Sequence, residues 1–67
     1  MIEIEDDYRG GVNLLLHKAT NKDRKELAER IDRISDSLKY VIDRGDWIKL
    51  IPKRGVTSVE IVAELCK

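Results

Sequence analysis

The side chains best suited to nucleophilic or proton-transfer chemistry near neutral pH, apart from the carboxylates, are His17 and Cys66, and each is alone of its kind. General acid–base or covalent catalysis needs such groups to converge in a pocket that tunes them. Cys66 lies one residue from the end, on the apolar side of a predicted C-terminal helix, and is expected to pack there as a small hydrophobe. His17, between Leu16 and Lys18, is expected to cap a helix end or face solvent. Glu26–Arg30 and Glu29–Arg33 fall at i, i+4 spacing, which pairs them along a helix surface and leaves them structural. These residues point away from an enzyme and toward a protein with no cofactor, no metal and no small-molecule substrate. One cysteine excludes an internal disulfide framework, and one histidine means that a zinc site would have to borrow ligands from another chain.

The basic residues make a second set. Lys22, Arg24 and Lys25 cluster within 18–25, and Lys49, Lys53 and Arg54 join Arg44 within 44–54. With Trp47 as a stacking platform the second cluster would suit a phosphate backbone. The first would sit at the start of a second helix, where a helix-turn-helix protein contacts DNA. Asp23, Glu26 and Glu29 would repel phosphates on that same face, and the 13 basic residues are cancelled by 13 acidic ones. The alternative to a DNA- or RNA-binding regulator is docking of these corners on an acidic protein surface.

The elements that position these residues are read from periodicity. Leu27, Ile31, Ile34, Leu38 and Val41 recur at spacings of 4, 3, 4 and 3, which predicts one amphipathic helix over residues 21–45 with these five as an interaction stripe. Thr20 and Asp23 suit its capping box, and Gly45 suits its stop. Ser35, Asp36 and Ser37 are a weak patch in the middle, because short polar side chains compete for backbone hydrogen bonds. At ~1.5 Å per residue the helix would span roughly 34 Å, more than the ~28 Å diameter of a compact globule of this length. The stripe is therefore expected either to pack within the chain or to be shared in a homodimer. Its e and g positions do not show the opposite charges of a parallel coiled coil.

Residues 4–19 fit a helix with Ile4, Tyr8, Val12, Leu15, Leu16 and Ala19 on one arc, or a hairpin with strands near 1–6 and 12–18 interrupted by Gly10 and Gly11. Residues 46–52 predict a short extended segment, 53–55 a turn, and Thr57 to Glu60 the capping box of a last helix, with a strand on which Val59, Ile61, Ala63 and Leu65 alternate as the alternative.

The expectation is a single domain over 1–67, mainly α, with one long central amphipathic helix and a short extended segment; the alternative is α+β, a hairpin packed on a long helix. A core this small contributes little stability without a staple, which favours oligomerisation. The expected function is a non-enzymatic interaction module, a small adaptor, inhibitor or regulator of an unidentified protein, acting as a homodimer. A lone thiol and the lack of a leader-like or membrane-spanning apolar run predict a cytoplasmic location without membrane association.

Overall fold

The computed structural model describes residues 2–7 and 10–67. It is an α+β fold: β1 (Ile2–Asp7), β2 (Gly11–Leu16), α1 (Asn21–Arg33), a 3-10 turn (Ser35–Ser37), β3 (Leu38–Asp43), β4 (Trp47–Pro52) and α2 (Ser58–Leu65). The strands form one antiparallel sheet in the order β1-β2-β4-β3. The mainly α expectation is overturned by this sheet, and the N-terminal segment is the hairpin rather than the helix.

The single helix over 21–45 does not exist. It ends at Arg33, and the weak patch supplies the reason. Ser35, Asp36 and Ser37 occupy the 3-10 turn, and beyond them Tyr40, Val41 and Ile42 are aromatic and β-branched residues that suit a pleated surface better than a helix. Gly45, expected as a helix stop, instead opens the β3–β4 turn with φ +89, and Arg44 N–H donates to Trp47 O at 2.8 Å across it. Either role demands a left-handed glycine, so the residue alone does not distinguish them. With α1 at 13 residues the projecting rod disappears, and the molecule's extents are 33 × 21 × 19 Å.

Local chemistry explains the helix starts. Thr20 Oγ1 accepts from Asp23 N–H at 3.1 Å while Asp23 Oδ2 accepts from Thr20 N–H at 3.2 Å, a complete capping box. Thr57 Oγ1 accepts from Glu60 N–H at 3.2 Å. Both satisfy amides that an α-helix leaves without partners at its first turn.

Both helices lie on one face of the sheet. Val12, Leu14 and Leu16 of β2 and Ile48 and Leu50 of β4 point into a core closed by Leu27, Ile34 and Leu38 and by Ile61 and Leu65 of α2. The register sets Val12 opposite Leu50 and Leu14 opposite Ile48, so the two central strands present one continuous apolar surface to the helices. Four of the five stripe residues thus enter or flank a single core, from a helix, a turn and a strand. Leu27, Ile34 and Leu38 are buried, Ile31 packs against them, and Val41 on β3 stays exposed.

Candidate protein-docking surfaces

Side chains alternate across a strand, so the residues between the core positions line a face that no helix covers. On β2 these are Asn13 and Leu15, on β4 Trp47, Lys49 and Ile51, and on β3 Tyr40 and Ile42, with Glu3 and Glu5 along β1. Leu15 stands opposite Trp47, Ile42 opposite Lys49, and Tyr40 opposite Ile51. Leu15, Ile42, Trp47 and Ile51 are half-buried within a single sheet layer. Trp47 is expected from the sequence as a stacking platform for a phosphate backbone beside Lys49, Lys53 and Arg54. It is neither enclosed between layers nor grouped with Lys53 and Arg54, which lie in the exposed turn beyond β4.

Gly11 shapes the middle of this face. A Cβ there would come within 2.9 Å of Lys49 Cε and 3.4 Å of Ile51 Cδ1. Its absence lets the lysine stem cross β2 and place Nζ 2.9 Å from Asp7 Oδ2 on β1, in a largely shielded ion pair. Beside it, Asn13 Oδ1 is buried and accepts no hydrogen bond among the described residues. At the rim, His17 Nε2 lies 3.0 Å from Glu3 Oε2, both groups about half exposed.

The other side has an opening too. Leu27, Ala28 and Ile31 of α1 stand across from Leu38 and Val41 of β3, and the space between them forms a groove of about 590 Å³. Arg24 closes one end, its Nη1 donating to Gly45 O at 2.6 Å. Val41, which lines this groove, remains 41% exposed, and Tyr40, its neighbour on the helix-free face, 50%. The i, i+3, i+4 spacing of the stripe is that of a helix and conceals an edge strand. The adjacent Tyr40–Val41–Ile42 run was the available signal.

The six basic candidates do not form one site. Lys22 and Lys25 are exposed at the start of α1 and Lys53 and Arg54 at the far end of β4, while Lys49 and Arg24 are held by Asp7 and Gly45 within the fold. Cys66 is exposed rather than packed on the apolar side of α2. Arg30 forms no pair with Glu26; it donates to Leu65 O at 2.6 Å and Lys67 O at 3.0 Å, linking α1 to the end of α2. Among the described residues no three His, Cys, Asp or Glu side chains are grouped as a metal site would require, and no helix is long and apolar enough to cross a membrane. Comparison with protein-family models, curated proteins and solved structures gave no match to this chain.

Proposed function

We propose that this chain is a non-enzymatic protein-interaction module of the cytoplasm that binds and regulates another protein through the helix-free face of its sheet. One observation carries the reading: Leu15 and Trp47, the sole tryptophan, stand opposite each other, Ile42 and Ile51 lie on the same face around the Lys49 stem, and no second layer lies over them. Partly open apolar side chains on an uncovered sheet face suit association, and aromatic anchors ringed by polar groups carry most of the energy of such sites. Glu3 and Glu5 along β1 give that surface an acidic margin, so the partner it suits is an apolar patch flanked by lysine or arginine. The exposed lone thiol fits a reducing compartment.

The test compares affinity capture from the native source by the wild type and by Leu15→Ser/Trp47→Ala, with circular dichroism confirming that both are folded. A partner should be retained by the first and lost from the second. Anisotropy titration against mixed nucleic acid at two salt concentrations runs beside it, with Lys53→Glu/Arg54→Glu as the control. Binding that weakens steeply with salt and vanishes in that control would replace this reading with a nucleic-acid regulator.

A further inference from the structure

The two edges of the sheet differ in what they can pair with. On β1, Ile-Glu-Ile-Glu-Asp-Asp, every antiparallel register that matches five or more residues with a second copy sets carboxylate opposite carboxylate, which disfavours pairing. On β3 the opposite holds.

The outward groups of β3 restrict its registers. Arg44 and Trp47 form the bonded pair that closes the β3–β4 turn. Bonded and non-bonded pairs alternate in an antiparallel ladder, so Ile42–Lys49 and Tyr40–Ile51 bond inward while Val41 and Asp43 turn their amides toward the free edge. A second copy of β3 can therefore join only with outward residues facing outward residues. The register centred on Val41 satisfies this, and it is self-complementary throughout. Val41 meets Val41, Tyr40 meets Ile42 twice, and Lys39, which the β3–β4 register passes over, meets Asp43 twice. Each is a favourable cross-strand combination: β-branched with β-branched, aromatic with β-branched, and cation with anion.

We infer that the chain forms a homodimer by antiparallel pairing of β3 with β3 of a second copy, centred on Val41, which joins two four-stranded sheets into one of eight. The inference deepens the interaction-module reading and rests on it, because the joined sheet doubles the helix-free face. The pairing accounts for the two adjacent apolar residues left most open on the sheet, Tyr40 and Val41.

The experiment is a charge swap read by sedimentation equilibrium from about 10 µM to about 1 mM, the range of small interfaces, in about 0.15 M salt. The wild type should approach twice 7.7 kDa. Lys39→Asp leaves only acidic groups at the two paired positions and Asp43→Lys only basic ones, so each alone should remain monomeric. Mixed in equal amounts, they should dimerise, since both crossed pairs are then opposite in charge. Val41→Cys in a Cys66→Ser background supplies the register. Residues directly opposite in a bonded pair have Cα atoms ~5.5 Å apart, within disulfide reach, so mild oxidation should cross-link this variant and should not cross-link Ile42→Cys in the same background.

A wild type that stays monomeric to about 1 mM, with Lys39 serving only to guard the edge, would overturn the inference. So would a dimer unaffected by Lys39→Asp, or a cross-link favouring Ile42→Cys. Partner capture through Leu15 and Trp47 is scored separately. Its loss with an intact dimer would defeat the functional reading alone, and a monomer that still captures its partner would defeat the dimer alone.

Discussion

Among single residues, the clearest liability is Asn13. It sits in a central strand with Oδ1 shielded from water and without a partner among the described residues, and a buried acceptor left without a donor costs about 1–3 kcal/mol. Asn13→Val should remove that cost and suit the strand, raising the urea midpoint by the equivalent of about 1 kcal/mol; an unchanged or lower midpoint would show that Asn13 has a donor in solution. Arg30 acts in the other direction. Its guanidinium serves two carbonyls at the end of α2, where helical C=O groups lack partners and carry partial negative charge. Arg30→Ala is expected to destabilise by about 1–3 kcal/mol. Exposed Cys66, between the two residues whose carbonyls Arg30 binds, should tolerate alanine to within about 0.5 kcal/mol. Equal effects of the two substitutions in chemical denaturation would deny Arg30 its bridging role.

Among the elements, β3 decides the fold and conceals it. A strand brings i and i+2 to one face, so Leu38 and Val41, three apart, should point oppositely. The irregularity between Leu38 and Tyr40 inserts one residue and returns both to the helix side. That insertion makes a strand reproduce the spacing of a helix, which is why the run from Leu27 to Val41 reads as one amphipathic stripe. The two N-cap threonines were legible because capping depends on side chains within three residues of each other, and the last helix and the extended segment before Pro52 were legible from equally local signals. The helix-free face was not: it exists only once β2 and β4 have paired, and Leu15 and Trp47 are far apart in sequence. Deleting Lys39 tests the role of the insertion. Without the extra residue Leu38 must turn away from the core or β3 must slip, and the loss should approach that of a buried leucine, about 2–5 kcal/mol. A thermal melt within a few degrees of the wild type would show that the insertion does not place Leu38.

For the molecule as a whole, a single layer of helices holds a sheet whose core is small. α2 contributes two buried anchors, Ile61 and Leu65, and Ile61 is fully enclosed. Ile61→Ala is expected to cost about 2–5 kcal/mol, a large share of what a domain of this size has. Retention of a cooperative melt at the wild-type midpoint would mean that α2 is not needed to close the core. The strand order carries a further consequence, in the order of folding events. β1–β2 and β3–β4 are each joined by three residues, and both hairpins can close early because little chain entropy opposes them. The seam between β2 and β4 joins residues from opposite halves of the chain and must wait for α1 to be threaded across one face. The rate-limiting step is therefore expected to be the meeting of two preformed halves, so that Val12→Ala and Leu50→Ala slow folding while Thr57→Ala chiefly speeds unfolding.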